Sequence, residues 1–348
     1  MTTKIDIVRW LKASDYDDKD TAISRVIFGS LFLMLKPTFS WIGEYPRNSY
    51  MPPPGPFQLL AEFPPPWFFV MLDYAVTVLG VCVLIGYTTK ITSVLLSLLL
   101  LMGYGFSFSL GKIDHTILLA LTPMFMAFAN WGNLLSIDSR QGRTSGNQSS
   151  ATAGLSAMRL LAVSIGVAML TAALMKFRGG WLSLSSQAAY SHEIAQYFFK
   201  GREGFLAEIA VSTHLPLLWE AIDWMTVALE GALLILALSW RTWRIGLALI
   251  CIFHLGVLLV FNISFWYNIL AYIVFVRWSK VSFIGRIRGK MFLLFVPCII
   301  AVEVLLVWLA NFSIESTVII FSGGISAFYL VNHLMVRPTL LLRNRYKD

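Results

Sequence analysis

Residues 67–110 read "WFFVMLDYAVTVLGVCVLIGYTTKITSVLLSLLLLMGYGFSFSL". Two apolar runs, 67–87 and 91–110, flank the polar step Thr88, Thr89 and Lys90, and Asp73 and Lys90 are the stretch's charged residues. A helix needs about 20 apolar residues to cross roughly 30 Å of hydrocarbon. Lipid offers backbone N–H and C=O groups no partners, so a spanning segment must satisfy them within a helix. The stretch therefore predicts two transmembrane helices joined by a tight polar turn. The same pattern recurs at 21–37, 115–132, 157–176, 221–239, 244–261, 264–277, 291–310 and 316–335. The expected fold is an all-α polytopic membrane protein of about ten transmembrane helices with structured extracytoplasmic loops. The short "NIS" step leaves 244–277 readable as a hairpin or as one long broken helix.

Composition agrees. Apolar residues make up 57% of the chain, charged residues 13%, and mean hydropathy is +0.71, whereas soluble domains carry about 25% charge. The three cysteines, Cys82, Cys251 and Cys298, lie singly in apolar runs and read as small buried hydrophobes, not as a disulfide or zinc framework. The first 20 residues are polar, so no cleavable signal peptide is expected. The net charge of +8 reflects membrane orientation better than nucleic-acid binding. With the N-terminus inside, 19 of the 27 basic residues fall in inner segments, the asymmetry that the positive-inside rule demands. Both termini are thus expected in the cytoplasm, and the lipid bilayer is the first partner.

Residues 1–20 form a cytoplasmic tail. The Gly/Ser/Arg-rich stretch 139–150 reads as a flexible cytoplasmic linker. Two long segments face the other side. One, 37–66, is dense in proline; the other, 177–220, spaces aromatic and apolar residues as an amphipathic helix does. Together they suggest a roofed cavity open to the extracytoplasmic side. No internal repeat supports a small-solute transporter.

Ionisable residues inside a membrane are costly and count as functional candidates. Lys176, Glu230, His254 and His115 are the leading set. Each has two readings. Lys176 closes the fifth span, where a lysine snorkels to the interface or serves as a base. Glu230 bonds a neighbouring helix or joins a site, and His254 is a satisfied structural histidine or a catalytic one. Asp73 and Glu303 read as helix–helix glue, and Arg25 as a snorkelling or locally paired side chain. An amine in an apolar pocket loses the hydration that favours its charged form. It can then take a proton from an acidic hydroxyl such as that of a reduced quinone, with His254 or His115 shuttling it. Nucleotide, zinc-protease and serine-hydrolase motifs are absent from the sequence.

The order of several stretches resembles a known family. "RVIFGSLFLML", "LIGYTTKITSVLL", "DHTILLALTPMFMAFANWGNLLSID", "ALMKFRGGWL" and the stretch from "ALEGALLILALSW" to "ILAYIVF" are similar to the HTTM, or horizontally transferred transmembrane domain, proteins, relatives of vitamin K-dependent gamma-carboxylase. The resemblance covers about 21–278; 279–348 adds two spans and a basic cytoplasmic tail. It implies that Lys176, five residues before Trp181, matches the base that deprotonates a vitamin K hydroquinone. It also implies that His254 and Glu230 match the family's mid-span histidine and preceding glutamate. The carboxylase's large lumenal domain has no counterpart here. Short bacterial relatives that help mature secreted peptide toxins suggest a plasma-membrane protein with a secreted peptide as substrate. A non-enzymatic maturation or immunity partner of such a peptide is the alternative.

Overall fold

The computed structural model describes residue 10 and residues 16–111, 113–143, 148–281 and 313–331. Among them every regular element is helical. The helices are α1 (Asp18–Leu35), α2 (Pro66–Ile85), α3 (Thr89–Ser107), α4 (Thr116–Phe128), α5 (Ile137–Arg140) and α6 (Gln148–Arg178). They continue with α7 (Ala188–Ile194), α8 (Ala207–Ser212), α9 (Pro216–Leu236), α10 (Trp240–Phe261), α11 (Trp266–Tyr272) and α12 (Ile314–Val331).

Six of the described helical stretches are long and apolar enough to cross a membrane: those built on α1, α2, α3, α6, α10 and α12. This is an integral membrane protein. Of the ten expected spans, three that lie among the described residues are not among the six. Helix α4 has 13 residues, about 20 Å of rise; it ends at Ala129, and Asn130 turns the chain with φ +57°. The helical turns Trp266–Phe275 are shorter still. Helix α9 has the length, at 21 residues, but carries Glu220, Asp223 and Glu230. The expected span 291–310, with Glu303, lies outside the described residues, as do 144–147 of the expected linker; the rest of that linker is helical at Gln148. Asp17 and Asp20, expected in the tail, form a capping box that starts α1 three residues early, two acidic groups at the positive end of the helix dipole.

The chain divides into two compact units, residues 1–161 with 270–305, and 162–269 with 306–348. In the first, α1 packs on α2, α2 on α3 and α3 on α4. Its knot is Arg25, fully buried rather than snorkelling. The guanidinium donates to the carbonyls of Val83 and Leu84 in the last turn of α2, and to those of Trp131, Leu134 and Leu135 after α4. One side chain thus serves orphan carbonyls at two chain turns. Beside it Asp138 accepts from Thr88 N, Thr89 N and Thr89 Oγ1 at 2.6–2.9 Å and caps α3. Burial works to raise the Asp138 carboxyl, but the Thr89 and Thr88 hydrogen bonds and the Arg143 charge outweigh it and hold the group below its ordinary value. Gly86 is held at φ +70° between Ser136 and Arg25, where a Cβ would collide with both. Asp73, expected to join helices, instead holds a loop: it accepts from Phe39 N at 2.7 Å and Ser40 N at 3.0 Å.

In the second unit α9 packs on α7 and α10, and α10 on α12. Helices α6 and α9 run antiparallel in close approach. Gly166 faces Leu234, a Cβ at Gly231 would stand 3.7 Å from Ala173 Cβ, and Lys176 meets Glu230. Small residues let membrane helices approach this closely. A Cβ at Gly166 would stand 2.7 Å from Leu234 Cα, a backbone atom that cannot step aside alone. Gly166→Val is expected to force the helices apart and lower the thermal midpoint of the detergent-solubilised protein by more than about 4 °C.

Candidate functional site

Helix α6 ends in a Schellman motif. Trp181 N donates to Lys176 O, Gly180 N donates to Phe177 O, and Gly180 takes φ +81°. In this cap the first and last bonded residues are five apart, and their side chains commonly touch. The Lys176-to-Trp181 spacing is therefore the geometry of a helix end. What it accomplishes is placement: Lys176 Nζ stands 5.5 Å from the centre of the Trp181 ring, a cation–π contact.

The amine does not run on past the helix end as a snorkelling lysine does. Nζ lies 2.8 Å from Glu230 Oε1 and 2.6 Å from Oε2. The Lys176 side chain is 23% exposed and that of Glu230 6%. The lysine is thus paired with a buried acid, not the isolated apolar-pocket amine expected from the sequence. Among the described residues the other ion pair is Arg47–Glu62, half exposed.

His254 belongs to the same unit but keeps other company. Its Nε2 is 3.4 Å from Asn268 Nδ2, and its ring stacks on Phe265 with centroids 4.7 Å apart. A continuous helix would separate residues 254 and 268 by about 21 Å. The chain therefore folds back after α10, with Asn262 left-handed at φ +49°, and 244–268 is not one continuous helix. Glu230 precedes the Ala237–Ser239 turn by seven residues and His254 follows it by fifteen, which sets them about 12 Å apart along the helix axes. His115 is in the first unit, at the N-cap position of α4. Of the four candidates, the structure brings Lys176 and Glu230 together.

A family model for the HTTM domain matches residues 14–279, more than three quarters of the chain and every residue of this site. The chain belongs to the HTTM family. No curated protein and no solved structure matches it. The donor set of this HTTM protein fits a reduced quinone in its chemistry: a partly exposed amine backed by a carboxylate can exchange a phenolic proton, and an indole borders it.

The segment after the site is anchored by acids of α9. Asp223 accepts from Ala188 N at 2.7 Å and Ala189 N at 2.8 Å, and Glu220 accepts from Gln187 N at 3.3 Å, so both hold the start of α7. One residue of α7 was not anticipated. Glu193 is fully buried, and neither carboxylate oxygen has a hydrogen-bond partner. Its signal was the face it shares: Ala189, Glu193 and Gln196 fall on one helical stripe, and all three are buried. Burial pushes the Glu193 carboxyl up to about 7. The folded state then holds a proton that the unfolded state releases near its ordinary 4.5. Stability from this group is present at low pH, declines as pH climbs from about 4.5 to about 7, and stays low above it. The acids on the packed elements, Glu220, Asp223 and Glu208, and His192 on α7 itself, are common to wild type and variant. Subtracting the unfolding-midpoint profile of Glu193→Gln from that of wild type therefore isolates the slope, and a flat difference contradicts it.

Proposed function

We propose that this HTTM protein is a membrane enzyme in which Lys176 and Glu230 form a proton-exchanging pair acting on a lipid-soluble hydroxyl substrate, with a reduced quinone as the fitting class. The observation that carries the reading is the bidentate contact at 2.6 and 2.8 Å between a partly exposed amine and a buried carboxylate. A buried ion pair is commonly no more stabilising than packed apolar residues, so its presence favours a task over a structural role.

In this reading Lys176 Nζ passes one proton to Glu230 across the short contact, and the neutral amine accepts the next, so the pair ends as ammonium and carboxylic acid. Trp181 screens the amine from water and favours its charged form through the ring face. Bound there, a reduced quinone would supply the acidic hydroxyl and the electron density freed when its proton leaves. His254, held by Asn268 and Phe265, is proposed as an assisting group that carries the proton onward. The basic-residue asymmetry favours ten spans with both termini in the cytoplasm and Lys176 on the extracytoplasmic side, and the family resemblance implies a bacterial plasma membrane.

Lys176→Arg tests the assignment. Arginine pairs with a carboxylate bidentately but does not deprotonate, so the unfolding midpoint should hold. Loss of the proton opens a reduced quinone to two-electron oxidation by dissolved oxygen, so oxygen uptake driven by reduced naphthoquinone, measured on protein in nanodiscs, should fall at least about 100-fold. Equal uptake by the arginine variant would sink the proposal. A second reading, a non-enzymatic holder of a secreted peptide, is favoured by the exposed Phe198, Phe199, Phe205 and Leu217 of the 198–218 segment. It predicts that alanine at Phe198 and Phe199 harms activity in cells more than Lys176→Arg does.

A further inference from the structure

Glu193 and Gln196 make up a second polar centre, which stands without the Lys176 reading. Both side chains are almost wholly buried, at 0% and 2% exposure. Glu193 Oε1, Glu193 Oε2 and Gln196 Oε1 all lack a hydrogen-bond partner. The Gln196 amide nitrogen lies 3.2 Å from His192 Nε2, and its oxygen stands without a partner. Directly after α7 the chain widens into a π-helical turn, Ala195–Phe199. Such turns re-aim side chains and are frequent at functional sites.

Leu206 N donates to Leu259 O at 2.7 Å, and Gly204 presses against the carbonyls of Leu259 and Val260, where a Cβ would collide. The ring of His192 lies 5.5 Å from that of Phe261. This segment therefore packs at the C-terminal end of α10, the negative end of its dipole. With the carboxyl ionised, Glu193 and Gln196 present three acceptors without a donor, which a cationic donor fits. Among the described residues no group of three His, Cys, Asp or Glu is placed to hold a metal ion. A primary ammonium brings three N–H donors for three oxygens.

We propose that Glu193 and Gln196 form a binding site for the primary ammonium group of a ligand, an amine or the amino group of a peptide. A buried carboxylate without a partner is costly, so the site trades stability for binding.

The test uses the full chain in nanodiscs at pH 8.5, titrated with n-propylammonium chloride while the unfolding midpoint is followed. Wild type should gain about 2 °C or more in a saturable manner, and sodium chloride at equal ionic strength should not reproduce it. Glu193→Gln should be as stable as wild type or more so without the amine, and should lose the response. Gln196→Leu, which keeps the carboxylate, should weaken it at least about tenfold, through loss of one charge-assisted hydrogen bond. An equal response from Glu193→Gln, an equal effect of sodium, or no response in wild type would each overturn the site. So would unfolding of Glu193→Gln, because it would reveal a structural partner for the carboxylate.

Discussion

Arg25→Ala is expected to destabilise the first unit by at least about 4 kcal/mol, enough to abolish the folded protein in mild detergent. The buried guanidinium donates to five backbone carbonyls from two separate turns. Removing it leaves those acceptors without their donor, and each buried unsatisfied acceptor costs about 1–3 kcal/mol. Arg25→Lys should recover only part of the loss, because an ammonium is a point donor and cannot span Val83 and Leu135 together. Denaturant or thermal unfolding of the purified variants reads the effect. A drop within about 1 kcal/mol of wild type would show that the carbonyls find other partners.

Lys176→Met carries the second large effect. It leaves Glu230, 6% exposed, as a buried carboxylate without its cation, at a cost of about 3–5 kcal/mol. The double variant Lys176→Met with Glu230→Met should return most of that stability, since two apolar side chains pack where the pair was. A snorkelling lysine would behave otherwise: its loss would cost little, and the two substitutions would add independently. The cycle thus separates a structural pair from an anchor, and unfolding midpoints in one detergent suffice to measure it.

Much of this was legible in the sequence. The long apolar runs marked the membrane helices, and the ordered motifs marked the family. Lys176 and Glu230 each stood out as charges among apolar neighbours. Their pairing did not, because it depends on the rotational phase of α6 against α9. That phase is set by Gly166 against Leu234 and Ala173 against Gly231, contacts that look like ordinary small residues in the chain. Arg25 was misjudged for the same reason: its acceptors lie 58 to 110 residues away. The "SID" and "GYTTK" stretches, noticed only as motifs, turn out to be one junction, with Asp138 capping α3 from the far side of α4. His254 reads from the sequence as a shuttle for the Lys176 proton, and its neighbours Asn268 and Phe265 come from the reversal at Asn262, which no linear pattern marks. Glu193 escaped notice because an acid on an amphipathic stretch reads as solvent-facing until its stripe is traced.

The central claim is that the Lys176–Glu230 pair takes up a substrate proton. Infrared difference spectra, recorded as reduced naphthoquinone is added to protein in nanodiscs, test it most directly. The account predicts a new protonated-carboxyl band that is missing in Glu230→Gln while Glu193→Gln retains it. No band in wild type, or an undiminished band in Glu230→Gln, would contradict it.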